Sequence, residues 1–449
     1  MGTPVARLQV TRDNLVPLPV LAPYFMWGLT AFAAAPLLLW HAAPALQAGA
    51  YRHPSLLAAV HLYTLGWGTS IALGALQQLS PVLAASRLHS YRFARWGFAA
   101  HATGLLALLA GFFTFHRSAF VLAAALLPVG VAVPLLNAML TQRQAPMTRQ
   151  GLFVRPFVAA AAAYLLLTAA AGAALATHLG SGWLGAGWLH AFGSHVTFGL
   201  GGWFLMLVLG VSYHMLRFFG LTDKKRPPQA LTVVRRLVHA GIWLSIAGAT
   251  MPASGTGPVA RLSLALALVL AAVAMAMFLW EHRDLYHPKA PERMHPIIGY
   301  IRAAHLYLAA VAVLLAAVAV RMVAAPGGGT GRALEAAPSA AVSPATVVFL
   351  GVLVLTGWLS NTILGYLHRI VPFIVWHNKY WDRSREPGVP AFRVMVNTRV
   401  AWTGFALYNA GVLAVLAALV TRVPLTLALA LLTAGGIIAA GNVLRVFWR

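Results

Sequence analysis

Apolar residues in this chain fill whole windows of about 20 residues, the length a helix needs to cross a hydrocarbon core about 30 Å thick. About twelve such runs begin near Val20, Ser55, Phe93, Ala119, Phe153, Trp188, Ala230, Leu262, Ile297, Val342, Arg393 and Pro424. Short polar segments separate them, among them SRLHSYRFAR, TDKKRPPQ, EHRDLYHPKAPERMHP and HNKYWDRSREPGVPAFR. The pattern predicts an all-α polytopic membrane protein of about twelve transmembrane helices, with residues 1–449 forming one integral membrane domain.

A second pattern lies inside the first. Gly-Trp followed by Leu-Gly recurs as GWGTSIALG (Gly66–Gly74), GWFLMLVLG (Gly202–Gly210) and GWLSNTILG (Gly357–Gly365). These stretches fall in the second, sixth and tenth helices, so each is the second member of a four-helix group. Three pseudo-symmetric groups are predicted, over approximately 20–150, 151–285 and 295–449. Just beyond each motif comes a basic or amide side chain: Gln78, His214, and His368 with Arg369.

Composition supports this picture. The chain is 60% hydrophobic and only 9% charged, with a mean hydropathy of +0.77. Its net charge of +24 has no soluble domain to carry a nucleic-acid surface, so nucleic acid is not an expected partner. With the amino terminus in the cytoplasm, about 26 of the 32 Lys and Arg residues fall on the cytoplasmic side. The expectation is a multi-pass protein of a bacterial-type inner (plasma) membrane, its partner the lipid bilayer, with both termini cytoplasmic. The leading MGTPVARLQVTRDNLVPLP has neither an apolar core nor a small-residue cleavage site, so the first helix is expected to stay in the membrane. The segment PGGGTGRALEAAPS reads as a flexible external linker.

Cysteine is absent, which excludes disulfides, thiolate metal sites and c-type heme attachment. All eight acidic residues, Asp13, Asp223, Glu281, Asp284, Glu292, Glu335, Asp382 and Glu386, fall in loops or at span ends. That disfavours proton pumping and ion-coupled transport. Any metal is then held by histidine, and imidazole ligands favour heme iron or copper.

An intramembrane histidine is a functional candidate by default. His61 and His195 lie in the outer parts of the first two Gly-Trp helices, seven residues before Gly68 and Gly202. That spacing stacks each imidazole over a glycine on one helix face, a side-chain-free surface of the kind a flat macrocycle needs. His101, His239, His305 and His214 form an inner set that could ligate a second cofactor or line a polar cavity. His61, His195 and His239 are the candidate metal ligands.

Three four-helix groups, cytoplasmic termini and histidines on helices two and six resemble subunit I of the heme-copper oxidase superfamily, which includes the nitric oxide reductases. HLYTLGWGTSIALGALQQLSPVL and HVTFGLGGWFLMLVLGVSYHML are similar to short, divergent bacterial members with a His-x-His-x-x-x-x-Gly-Trp pattern. The resemblance implies that His61 ligates a low-spin heme, that His195 is the sixth-helix ligand, and that His239 is a lone candidate on the seventh. It departs in having no His-His or His-x-His, with Leu350 and Val352 where the tenth helix would carry its ligands. A standard binuclear centre is therefore not expected. Of the two pattern positions, His61 fills the second and His195 the first, with Ala59 and Thr197 in the others. Two positions rotate a helix by about 200°, so in the repeat frame the two imidazoles are expected to face different pockets and need not share one cofactor.

The expected function is redox chemistry on a heme of b type, with copper or non-heme iron as a further metal. It would be electron transfer or the chemistry of nitric oxide or oxygen, as in an oxidase or nitric oxide reductase-like oxidoreductase, with a quinol or cytochrome as electron donor. The alternatives are a membrane transporter or heme-handling protein, and a structural subunit with core-filling histidines.

Overall fold

The computed structural model describes residues 11–144, 149–219, 221, 230–250, 253–286, 295–324 and 342–449. The external linker segment, Glu292, Glu335 and all of TDKKRPPQ, Asp223 included, lie outside the described residues. Among the described residues, twelve helices are long and apolar enough to cross a membrane: α1 Leu18–His41, α2 Pro54–Ala84, α3 Tyr91–Thr114, α4 Arg117–Arg143, α5 Phe153–Ser181, α6 Gly185–Phe218, α7 Ala230–Thr250, α8 Pro258–Glu281, α9 Pro296–Ala324, α10 Pro344–Arg383, α11 Thr398–Thr421 and α12 Thr426–Trp448. Among the described residues there is no strand. The chain is an all-α polytopic membrane protein. An even number of crossings puts both ends of the bundle on one side, called here the termini face.

Local chemistry sets the helix limits. Ser90, Ser343 and Asn397 cap the starts of α3, α10 and α11 by accepting backbone N–H bonds from Phe93, Thr346, and Arg399 with Val400. Ala85, Phe115 and Arg422, all at positive φ, end α2, α3 and α11. The start expected near Arg393 comes later, at Thr398, because Phe392–Val394 forms its own short 3-10 turn and Asn397 supplies the cap.

The Gly-Trp helices form the inside of the bundle. Of their most apolar stretches, 67% of α2, 61% of α6 and 72% of α10 is buried, against 28% of α5 and of α7. Outer helices present stripes such as Leu306, Val313 and Val320 on α9, seven residues apart and exposed, as a lipid-facing surface requires.

One packing arrangement recurs in each group. The first helix lies against the glycines of the second. A Cβ on Gly74 would sit 2.6 Å from the Cβ of Tyr24, one on Gly210 would collide with Phe157, and one on Gly365 would meet Ile301 and Tyr300 of α9. One turn-pair earlier, Gly66, Gly202 and Gly357 receive Ala31, Tyr164 and Tyr307 in the same way. Small residues thus let the backbones approach, as between membrane helices generally. Each Gly-Trp helix is also π-helical at this level, over Leu62–Thr69, Thr197–Leu205 and Leu353–Leu359. Widened turns of this kind are rare and concentrate at functional sites.

Polar clamps hold the termini face. Gln78 accepts from the Val16 backbone N–H (3.0 Å) and donates to the Asn14 carbonyl (3.0 Å), so the amide expected at the end of α2 secures the segment before α1. Asp13 and Arg87 form an exposed ion pair at 2.5 Å, and the neighbouring carboxylate pushes the Arg87 guanidinium up. Asn137, fully buried on α4, donates to Gln77 Oε1 (2.8 Å) and to the Ser90 carbonyl (2.9 Å) and accepts from the Ser90 N–H (2.9 Å). It ties the α2–α3 connection to α4. Asn137→Leu is expected to destabilise the protein by about 2–4 kcal/mol, since Gln77 and Ser90 lose buried partners. Thermal unfolding in detergent checks this.

Candidate cofactor cavity

The outer halves of α2, α6 and α10, with residues of α1, α5, α7, α8 and α9, line a partly open cavity of about 450 Å³, within the usual range of ligand sites. Its walls are mostly apolar, with hydroxyl-bearing residues Thr64, Thr69, Thr168, Thr197, Ser245 and Thr356 together with Tyr51 and Tyr63. Among the described residues no carboxylate, lysine or arginine lines it.

His61 and His195 both line this cavity. Their ring centroids are 6.1 Å apart and their planes 25° from parallel. His61 Nδ1 lies 2.7 Å from the carbonyl oxygen of Leu57, one turn back on its own helix. His195 Nδ1 lies 3.0 Å from the carbonyl oxygen of Thr168 on α5. A carbonyl only accepts, so each Nδ1 carries the proton and donates it. Each Nε2 is left with its lone pair, the tautomer a metal ligand uses.

This arrangement differs from the expectation of separate pockets. The 200° rotation between the two positions is real, but α2 and α6 are neighbours that look at each other across their interface. Opposite faces in the repeat frame therefore meet in space. The remaining equivalents divide: Thr197, Leu350 and Val352 line the cavity, while Ala59 is buried in packing.

The glycines beside the imidazoles are also not the bare surface expected. The space over Gly68 is taken by the Phe204 ring, 2.7 Å from where a Cβ would sit, and the space over Gly202 by the Tyr164 ring. Open glycine surface occurs instead at Gly351, a lining residue with nothing within 4 Å of a Cβ position. The residues after the three tryptophans, Gly68, Phe204 and Leu359, converge: the Leu359 side chain is 3.4 Å from the Gly68 Cβ position. Trp203 Nε1 donates to Thr69 Oγ1 at 3.1 Å, crossing from α6 to α2 at the same level.

The other sequence candidates lie elsewhere. His239 Nδ1 is 2.7 Å from the Tyr164 hydroxyl and does not line the cavity. His101, fully buried, puts Nε2 3.0 Å from the Leu65 carbonyl oxygen and 3.1 Å from Ser70 Oγ. It thereby serves a carbonyl inside the widened stretch of α2. His305 sits near His282, Phe278 and Tyr286 toward the termini face, and His214 stacks on Phe218. Among the described residues no group of three or more His, Asp or Glu is placed to hold a metal ion. The cavity thus unites His61 and His195, two of the three candidate metal ligands.

Thr69, Thr168 and Tyr164 were not singled out from the sequence. Thr69 directly follows Gly68, whereas Thr168 and Tyr164 stand on α5, far in sequence from any candidate, and carried no signal. No family model matches the chain, and no curated protein matches it.

Proposed function

We propose that this is a heme-binding redox protein of the membrane, akin to the heme-copper oxidase superfamily, in which His61 and His195 hold the iron of a b-type heme. The observation that carries the reading is their spacing. Two imidazoles lining one apolar cavity could together hold a single metal. The observed centroids are 6.1 Å apart. Both residues line an apolar space with Nδ1 bonded, leaving Nε2 as the ligating atom, and the donor set contains no hard oxygen anion.

Bound there, the heme would supply one-electron chemistry. The chain's own residues would do the rest. Leu57 and Thr168 orient the imidazoles through their carbonyls, and the apolar walls exclude water and tune the potential. If both imidazoles held the iron, electron transfer would be favoured over the binding of nitric oxide or oxygen, which needs an open coordination position. A quinol or cytochrome is the proposed donor. The excess of Lys and Arg on the termini face supports a bacterial-type inner membrane with cytoplasmic termini.

The test is the visible spectrum of the purified protein with heme and metal stoichiometry. A Soret band with reduced-minus-oxidised bands of a low-spin heme, at one heme per chain or more, is expected. A colourless protein that takes up no heme on reconstitution, or copper without heme, overturns the reading.

A further inference from the structure

A second feature lies on the lipid side of the cavity wall, where α5 and α7 flank α6. Tyr164 of α5 and His239 of α7 meet beside Phe198 of α6, the Tyr164 hydroxyl 2.7 Å from His239 Nδ1. The Tyr164 and Phe198 rings stack, with centroids 5.9 Å apart and planes 23° from parallel. Trp243, one turn beyond His239, stands edge-on to Phe198 at 6.0 Å and 6.4 Å from Tyr164. Tyr164 and Phe198 are buried, whereas Trp243 is 53% exposed and His239 is half-buried. His239 does not line the cavity, and α7 is among the least buried spans, so the open part of its ring faces lipid.

Depth decides what can satisfy that ring. His239 lies nine residues, about 14 Å, from the first residue of α7 and eleven, about 16 Å, from the last. Tyr164 is likewise eleven residues, about 16 Å, from the first residue of α5. The pair therefore sits near the middle of a hydrocarbon core about 30 Å thick, far from headgroups and bulk water. Among the described residues the imidazole makes no hydrogen bond besides the one with Tyr164. Its Nε2 is left unsatisfied where an unpaired polar group is costly.

We infer that this face of α5, α6 and α7 binds the ring of a lipid-soluble quinone, with His239 Nε2 bonded to one of its oxygens. The partner of Nε2 has to come from the hydrocarbon itself, so it is a molecule that partitions there and carries a hydrogen-bonding group, which an acyl chain lacks. The Tyr164 hydroxyl turns to donate or to accept, and the imidazole proton follows it. With Tyr164 donating, Nε2–H donates to a quinone carbonyl; with Tyr164 accepting, Nε2 accepts from a quinol hydroxyl. The pair thus suits both redox forms, and Trp243 offers an exposed aromatic face to the ring. The Thr168 hydroxyl donates to the Tyr164 carbonyl (2.7 Å), and the Thr168 carbonyl accepts from His195 Nδ1 (3.0 Å), so the site is one turn of α5 from the cavity. Binding needs no heme; only the role of the quinol as electron donor rests on the proposed function.

Photolabelling of the full-length protein in detergent with short-chain azido derivatives of ubiquinone and menaquinone, followed by mass spectrometry, tests the site. Saturable label from at least one probe is expected on the segments carrying Tyr164, His239 and Trp243, displaced by the unlabelled short-chain quinone and not by an equal concentration of oleate. His239→Ala is expected to raise the half-saturating concentration at least tenfold, and Tyr164→Phe, which keeps the ring and removes the bond to the imidazole, at least threefold. Label confined to other segments with both probes, equal displacement by oleate, or an unchanged half-saturation in His239→Ala overturns the inference. Should the variants fail to fold, the position and competition of the label on the unmodified protein still decide it. A heme-containing protein without this label loses the inference and keeps the proposed function, and a heme-free protein that carries it does the reverse.

Discussion

Replacing His61 by alanine is expected to reduce heme per polypeptide to below about one tenth of the unmodified level, since altering even the partners of a metal ligand weakens binding about 10–100-fold. His195→Ala is expected to do the same. The equality matters more than the size of either effect. Two imidazoles with centroids 6.1 Å apart in one cavity act on one iron in the proposed reading, so either loss removes half of a single ligand set. Were they ligands of two different groups, each variant would retain the spectrum of the other. Exogenous imidazole is expected to restore the spectrum in both variants, because each alanine leaves room at the missing ligand. His239→Ala is the contrasting control. Its partner is the Tyr164 hydroxyl, so it is expected to lower stability by about 1 kcal/mol and to leave the spectrum unchanged. Loss of heme in His239→Ala with retention in His61→Ala would reverse the assignment.

The twelve spans were legible because hydropathy and length leave little choice in a bilayer. The Gly-Trp motif was legible too, but its meaning was not. Two glycines eight residues apart suit either a macrocycle or a neighbouring helix, and the choice depends on which side chain arrives from outside the motif. Tyr24, Phe157 and Tyr164 arrive from α1 and α5, and nothing within α2 or α6 announces them. The meeting of His61 and His195 was hidden for a related reason. Helical periodicity gives the direction of a side chain about its own axis and is silent about where the neighbouring axis stands.

His101 illustrates a further limit. From the sequence it is one more intramembrane imidazole and a candidate ligand. In the fold its Nε2 meets the Leu65 carbonyl oxygen and Ser70 Oγ, inside the stretch where α2 widens. That widening shifts the backbone pairing to i−5, with the Ser70 N–H reaching the Leu65 carbonyl, and His101 and the Ser70 hydroxyl add contacts to the same oxygen. Ser360 bonds the Leu355 carbonyl on α10 at 2.7 Å in the same i to i−5 relation as Ser70 to Leu65. Sequence alone showed serine in an apolar helix and gave no sign that the backbone there departed from a regular turn.

The close packing of α11 on α12 yields the other large effect, and two adjacent glycines separate it from a general sensitivity to mutation. A Cβ on Gly435 would collide with the backbone N and Cα of Tyr408, and one on Gly411 with the backbone of Leu432. Backbone cannot swing aside as a side chain can, so Gly435→Ala must push the helices apart and loosen the Tyr408 bond to the Thr356 carbonyl. Overpacking costs about 1–3 kcal/mol and at times more, and a clash with main chain places this variant near about 3 kcal/mol. Gly436 points elsewhere. The nearest atom to its Cβ position is on Phe32 at 3.7 Å, an ordinary contact. Gly436→Ala is therefore expected to be neutral or to stabilise by up to about 1 kcal/mol, because alanine loses less backbone entropy than glycine in a helix. Thermal unfolding in one detergent, followed by loss of the monodisperse species, checks both. A similar loss in the two variants would mean that the α11–α12 contact is not what sets the difference, whereas opposite signs one residue apart can arise only from the side of the helix on which the new methyl group falls.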